Sequence, residues 1–410
     1  MNSEGKAQFE RTGISETIEE WKEKRIGDEI ELCYGKGLPA TKRKMGKIPV
    51  FGSNGVVGYH NEFLVKGPGV IIGRKGSVGE VKFSTESFWP IDTTYFLKLK
   101  NKGDIRFWYY FLLTLKLNKM NTHSAVPGLN RDTVFEVKRK IPEFTEQQAI
   151  AKILSNLDLK IEVNQQMNKT LEAIGQAIFK RWFVDFEFPN EEGKPYKSSG
   201  GKMVYSGEIG KEIPQSFKMG PIYDLCEVVY GYPFSSTFFN REQKGKPLIR
   251  IRDLKTLNPK FSTTEQDSRT TLVKPGDIIA GMDAEFTPYI WLGEISYLNQ
   301  RLCMFEPKEK HIHEFFLYQT VKPLLKRDET AKVGTTVIHL CKSDIDLWRV
   351  IVPNENVLAK FRCLITPIFE RLILGSLENR NLSQIRDSLL PKLMSGKIRA
   401  PVPKEDVAAQ

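Results

Sequence analysis

Two stretches of the chain place mostly apolar residues at alternating steps of four and three. The first runs Ile150, Leu154, Leu157, Ile161, Asn164, Asn168, Leu171, Gly175, Ile178, Trp182, and the second runs Phe361, Ile365, Ile368, Leu372, Gly375, Asn379, Leu382, Arg386, Leu389, Leu393. Such spacing keeps one stripe of a helix against a partner and makes the seam of a coiled coil. Asn168 and Asn379 fall at equivalent seam positions, where a buried Asn gives up packing to fix register. The pattern predicts two long helices that pack on each other. Pro142 and Pro353 stop the strands before them, and Thr145 with Gln148 makes a capping box at the start of the first. A helix from Glu146 to Asp185 would be roughly 60 Å long at 1.5 Å per residue.

Elsewhere the apolar runs are short and punctuated by glycine, as strands are. They are 48–52, 56–60, 69–73, 78–83 and 94–99, then 248–254, 277–281, 289–295 and 301–307. One shorter helix is predicted in each region, over 104–117 and 313–325. These elements form two copies of one unit. IGDEIELCYG from Ile26 matches IYDLCEVVYG from Ile222, GPGVIIGRKG from Gly67 matches KPGDIIAGMD from Lys274, and IPEFTEQQ from Ile141 matches VPNENVLA from Val352. The offset drifts slowly along the chain, as loop insertions between duplicated domains would make it. The expected class is α+β: two strand-rich domains, each followed by a long helix, the helices pairing as an antiparallel coiled coil. The expected divisions are a first domain over 1–143, its helix over 144–187 and an irregular linker over 188–214. A second domain follows over 215–353, then its helix over 354–400 and a frayed tail over 401–410.

Composition narrows the function. A chain of 410 residues exceeds one ordinary core, and 40% hydrophobic content is that of a globular protein. No run approaches a membrane span, and the N-terminus has no apolar segment of the secretory kind. Five scattered cysteines, Cys33, Cys226, Cys303, Cys341 and Cys363, include no CxxC pair and fit a reducing cytoplasm. The net charge of +11 favours polyanionic partners.

Catalytic signatures are missing. Gly67, Gly69 and Gly73 do not make GxGxxG, there is no P-loop, and Asn258-Pro259 is followed by Lys260 rather than completing an amino-methyltransferase motif. His311 and His313 form an HxH pair beside Glu314 without a second cluster, so surface histidines are expected rather than a metal site. The chain reads as non-catalytic.

A nucleic-acid surface remains. Lys42, Arg43 and Lys44 precede a strand, with Asn54 beyond it; Arg74 and Lys75 sit in a glycine turn where backbone can approach a phosphate. Asn130 and Arg131 end a polar loop that begins at Asn121. In the second copy the counterparts are Arg241 and Lys244, Arg250 and Arg252, and Lys332 with Thr335 and Thr336. Arg and Lys suit guanine edges or phosphates, Asn suits adenine, and Thr suits either.

Three segments carry a family resemblance: 48-IPVFGSNGVVGYHNEFLVKGPGVIIGRKGSVGEV-81, 89-WPIDTTYFLKL-99 and 145-TEQQAIAKILSNLDLKIEVNQQMNKTLEAIGQAIFKRWFVDFEFP-189, with 389-LLPKLMSGKIR-399 closing the second copy. Together they resemble the type I restriction–modification specificity subunits, end to end, although 215–352 matches only in outline. The resemblance implies two target recognition domains, each reading half of a bipartite double-stranded DNA sequence. It also implies a spacer of two antiparallel helices, whose seam the heptad pattern assigns to Leu154, Leu157, Ile161, Asn168 and Leu171 on the first and Ile365, Ile368, Leu372, Asn379 and Leu382 on the second. Two methyltransferase subunits would dock on the spacer, where Lys152, Lys160, Lys169, Glu172 and Lys180 leave an outer face free, and restriction/translocase subunits would join them. No cofactor is implied for this chain; S-adenosylmethionine, ATP and Mg belong to the other subunits. The alternatives are a stand-alone two-domain DNA-binding protein, a DNA mimic, which the positive charge opposes, and a nuclease with an unseen site.

Overall fold

The computed structural model describes residues 20–120, 128–332 and 338–402. The chain divides into two compact units, one of Met1–Leu159 with Ser383–Gln410 and one of Lys160–Leu382. The long helices Phe144–Phe179 and Glu355–Met394 each contribute to both.

In the first unit the central sheet is antiparallel and four-stranded, in the order Ile30–Tyr34, Thr94–Leu99, Gly69–Gly73, Val81–Ser84. Its middle strand GVIIG is buried along its whole length, as a continuous apolar run predicts. The helix Ile105–Thr114 packs Phe107, Trp108 and Phe111 into the core beneath it. Asp104 caps that helix, its carboxylate accepting from the N–H groups of Arg106 and Phe107. A smaller sheet of Gly55–His60, Ile48–Gly52 and Trp89–Pro90 lies alongside. A two-stranded ribbon, Lys22–Arg25 with Lys138–Ile141, leads into the long helix.

The second unit repeats this plan. Its antiparallel sheet runs Cys226–Tyr230, Leu302–Pro307, Ile278–Gly281, Pro288–Ile290, the same order of corresponding strands. The helix Glu314–Ala331 takes the place of Ile105–Thr114, and the ribbon Lys218–Pro221 with Arg349–Val352 takes the place of the first. The side sheet has grown to five strands. Phe183, Phe316 and Phe361 meet edge to face in the core, with centroids 4.8 and 5.0 Å from Phe183.

The two helices run antiparallel within each unit. In the first, Arg386 Nη1 donates to Asp158 Oδ1 at 2.8 Å, and the Tyr110 hydroxyl donates to the same carboxylate. At the head of the first helix, buried Glu146 accepts from Trp21 Nε1 and from the Arg399 guanidinium. In the second unit, Asn164 Nδ2 donates to Asn379 Oδ1 at 3.0 Å and Asn168 Nδ2 to the Leu372 carbonyl at 3.2 Å. Leu154, Ile161, Ile365 and Leu372 are buried; Leu157, Asn168, Leu171, Ile368, Asn379 and Leu382 are partly so.

Several details differ from the sequence reading. Asn168 and Asn379, at equivalent positions of the two copies, have different partners: Asn379 meets Asn164, because antiparallel helices pair positions that move in opposite directions, and Asn168 lies against Gly375, where a Cβ would stand 2.7 Å from its Oδ1. Thr145 and Gln148 form no capping box, since the helix already begins at Phe144 and Gln147 reaches back to the Pro142 carbonyl. The 188–214 stretch is only partly irregular: it carries the hairpin Met203–Ser206 with Lys211–Pro214 and buries Phe188 and Ile213. The 248–254 strand stops at Ile249, where Asp253 accepts from the Arg250 N–H and turns the chain. His313 is no surface residue. Its buried Nδ1 accepts the Phe315 N–H at 3.0 Å as the cap of Glu314–Ala331, and burial, followed by the Arg362 charge, holds its pKa down at about 4. On the helix exterior, Lys160 pairs with Glu378 at 3.4 Å, Lys180 pairs with Asp185, and Glu172 accepts from Gln176, so only Lys152 and Lys169 of that set lack a side-chain partner among the described residues.

Candidate nucleic-acid interface

In the first unit a turn after the strand Gly69–Gly73 carries the basic residues. Gly76 adopts φ of 75°, which a side chain would resist. The Arg74 and Lys75 N–H groups both donate to the Thr93 carbonyl, and Leu129 N–H donates to the Arg74 carbonyl, so the backbone of this turn is fixed on both sides. Arg74 Nε and Nη2 donate to the Asp92 carbonyl at 3.1 and 2.7 Å. Its guanidinium lies over the Tyr34 ring at 5.3 Å, and that of Arg131 lies over the same ring at 5.0 Å. Tyr34 is 51% exposed, so this aromatic with two cations faces solvent. Behind it Tyr95 donates to the Leu129 carbonyl, and burial together with the Tyr34 hydroxyl pushes its pKa up to about 12, keeping it a neutral donor.

The remaining first-unit candidates divide. Lys42, Lys44 and Lys75 are exposed, with no ion pair among the described residues, and Asn54 is exposed in the hairpin turn between Gly52 and Gly55. Arg43, like Arg74, is anchored on backbone carbonyls, Nη1 donating to Val57 at 2.6 Å and Nε to Leu38, but it stacks on no aromatic ring among the described residues. Asn130 caps the short helix Arg131–Phe135, accepting from Asp132 N–H at 2.8 Å. That cap sets the direction in which Arg131 leaves the chain.

The second unit gathers its arginines on the side sheet. Arg241 and Arg250 stand over the Phe261 ring at 4.9 and 4.2 Å, and Arg250 Nε also donates to Asp253 at 3.3 Å. Arg252 is exposed, without an ion pair among the described residues, and Lys244 closes a loop with Asn240. Lys332 is not part of this cluster: its Nζ donates to the His339 carbonyl at 2.8 Å and to Asp344 Oδ2 at 2.6 Å. Thr335 and Thr336 lie outside the described residues.

The aromatic platforms Tyr34 and Phe261 are absent from the sequence-based candidates. So is Arg269, whose guanidinium lies 5.0 Å over Tyr232 and holds Asp267 well below the usual carboxylate range by hydrogen bonding. The Tyr34 and Phe261 platforms and their arginines come from separate segments of the chain, so no local spacing signals them. Where the first unit places Lys75 and Gly128 in a backbone bridge, the second bridges Asp283 and His339. Asp283 also accepts from Arg301; burial opposes its ionisation, but the His339 and Arg301 hydrogen bonds keep its pKa below the ordinary value.

The guanidinium groups of Arg74, Arg131 and Arg241 are held on aromatic rings without a carboxylate partner among the described residues, which suits recognition of base edges and phosphates, whereas Arg250 and Arg269 are also paired with Asp253 and Asp267. Among the described residues no group of three or more His, Cys, Asp or Glu side chains could hold a metal ion, and no helix is long and apolar enough to cross a membrane.

The profile of the Type I restriction modification DNA specificity domain matches this chain twice, over 18–173 and 214–360. The chain belongs to that family. It is a DNA specificity subunit with two recognition domains, and catalysis resides in other subunits. Among curated relatives, the type I restriction enzyme MjaIX specificity subunit of Methanocaldococcus jannaschii is 26% identical, covering 96% of both chains. The HindI specificity subunit of Haemophilus influenzae is also 26% identical, over 66% of this chain and 71% of its own. The crystal structure of a type I restriction–modification S subunit from M. genitalium superposes with a TM-score of 0.64 at 16% identity, covering 91% of this specificity subunit and 96% of that one; it shares the fold.

Proposed function

We propose that this subunit reads a bipartite DNA target, one half-site per recognition domain, and that the paired long helices set the unread gap between the halves. The observation that carries this reading is the duplication itself: two sheets of the same strand order, each leading through a ribbon into a long helix, with those helices joined along an antiparallel seam. Two similar readers within one chain give approximate two-fold recognition, while differing side chains let the half-sites differ. The Arg74–Tyr34–Arg131 and Arg241–Phe261–Arg250 clusters are the reading surfaces under this proposal, with Lys42, Lys44, Lys75 and Arg252 contributing phosphate contacts.

In this reading two methyltransferase subunits and restriction/translocase subunits assemble on the chain, and S-adenosylmethionine, ATP and Mg act in them. The test is co-expression of the chain with a methyltransferase subunit, followed by mapping of methylated bases. A two-part motif with a fixed gap is expected. A single uninterrupted motif, or DNA binding without methyltransferase association, would favour the stand-alone DNA-binding protein instead.

A further inference from the structure

The ribbon Lys22–Arg25 with Lys138–Ile141 carries a charge pattern that the fold does not require. Its eight residues read KEKR and KRKI, six cations and one acid. The register sets Lys24 directly opposite Arg139 and Arg25 directly opposite Lys138. Like charges facing each other across a ladder destabilise it.

Local acids answer only one strand. Lys22 pairs with Glu143, Lys24 with Glu29 and Arg25 with Glu136. Lys138, Arg139 and Lys140 are all exposed and have no carboxylate partner among the described residues. The register sets Glu23 directly opposite Lys140, and Asp28 lies near Lys138, but neither acid forms an ion pair with these three.

The second repeat supplies an internal comparison. Its corresponding ribbon reads KMGP and RVIV, with two cations. There Arg349 is paired with Glu208 of the 203–214 hairpin at 2.9 Å, and Met219 and Ile351 line an apolar groove with Ile209. The same backbone element is thus partnered and largely apolar in one unit, but in the other it is cationic and its second strand has no ion pair among the described residues. Strand pairing alone does not ask for three adjacent cations that have no ion pair among the described residues.

We propose that the Lys138–Lys140 edge of the first-unit ribbon is a second, sequence-independent DNA contact that binds backbone phosphates away from the Tyr34 cluster. Charge complementarity selects the occupant. Lys138 and Lys140 share one face of the strand, about 7 Å apart, where successive phosphates of a duplex can meet them, while Arg139 lies on the other face; the two opposed pairs lose their repulsion when they are neutralised. The turn Ile26–Glu29 and the whole strand Ile30–Tyr34, about 13 Å long at 3.3 Å per residue, lie between the ribbon and Tyr34 in the chain, so the two sets of cations sit on separate elements. This proposal rests on the DNA-reading function above.

The test uses the full chain with Lys138→Gln, Arg139→Gln and Lys140→Gln combined, titrated against a duplex bearing the mapped motif and a scrambled duplex across a range of KCl. Each lost phosphate contact should reduce the slope of log affinity against log salt by about 0.9. The expected result is a slope lower by roughly two to three for both duplexes, an equal loss of affinity on each, and an unchanged methylated motif. The variant should fold with an equal or higher Tm, because opposed cations are removed. An unchanged slope on both duplexes overturns the proposal. So does a changed motif, which would mean that the ribbon reads bases, or lost methyltransferase association with normal DNA binding, which would mean that its partner is an acidic protein surface. Arg131→Ala tested in parallel separates this from the reading function: it should narrow the difference between target and scrambled duplexes. If the unaltered chain shows no such difference, the reading function fails first.

Discussion

Asn164 and Asn379 meet across the helix seam, Nδ2 to Oδ1 at 3.0 Å, and Asn164 is completely buried. Asn164 Nδ2 also donates to Glu378 Oε2 at 2.8 Å, yet among the described residues the Oδ1 atoms of Asn164 and Asn168 accept no hydrogen bond. An unmet buried acceptor costs about 1–3 kcal/mol, so this layer is poor material for stability alone. It discriminates between registers. A one-heptad slip in one direction would set Asn164 on Leu372 and Asn168 on Ile368; the opposite slip would set Asn379 on Leu171. Asn164→Leu with Asn379→Leu is therefore predicted to raise Tm while loosening register. Mapping of methylated motifs should then show more than one gap length. A lower Tm with a single, unchanged gap would show the layer to be ordinary packing.

The paired seam changes how the gap should be lengthened. Extra residues in one helix alone would displace Gly175 from Phe315, whose ring stands 2.7 Å from where a Cβ on Gly175 would lie. Four residues inserted after Lys169 alone should therefore destabilise the chain. One heptad inserted after Lys169, with another after Ile373 on the facing turn, keeps the seam in phase and adds about 10 Å. The motif gap should grow by roughly three base pairs at 3.4 Å each, with both half-sites unchanged. Altered half-site bases in the methylated motif would contradict the helices' role.

Lys75→Ala should weaken DNA binding and lower the salt slope by about 0.9 with no loss of stability, since Lys75 is exposed and has no ion pair among the described residues. Arg74→Ala should do the same and also cost stability. It removes two hydrogen bonds to the Asp92 carbonyl, each worth about 1 kcal/mol. Salt titration of binding, paired with thermal melts of both variants, checks this. Equal Tm losses, or unchanged slopes, would contradict it.

His313 gives the protein a pH dependence. Glu314 lies 3.6 Å from its Nδ1, but that nitrogen accepts the Phe315 N–H and burial dominates, so the folded pKa is lowered to about 4 from the ordinary 6.5. The contribution is fully present above the unfolded value and is lost as pH falls from about 6.5 through about 4. One pKa unit corresponds to 1.36 kcal/mol, so roughly 3 kcal/mol is at stake. His313→Asn keeps a capping acceptor without a titrating group. Its stability measured by denaturant between pH 7 and pH 4 should fall less steeply than that of the unaltered chain.

The period of the apolar residues was enough to specify the two long helices, because a seam repeats over many turns and each turn adds signal. Duplication was likewise legible, since corresponding strands such as Gly69–Gly73 and Ile278–Gly281 occupy the same buried place and carry similar apolar runs. Charge and the resemblance pointed to DNA. What tertiary structure decided was which residues meet. Asn164 faces Asn379 because the helices are antiparallel, a relation no single helix records. Tyr34 and Phe261 became platforms because distant strands bring arginines over them. Arg43, Asn130 and Lys332 look equally basic or polar in sequence, yet backbone carbonyls, a helix N-terminus and Asp344 take up their hydrogen-bonding capacity. Local composition determines what a side chain can do; only packing determines whether it remains free to do it.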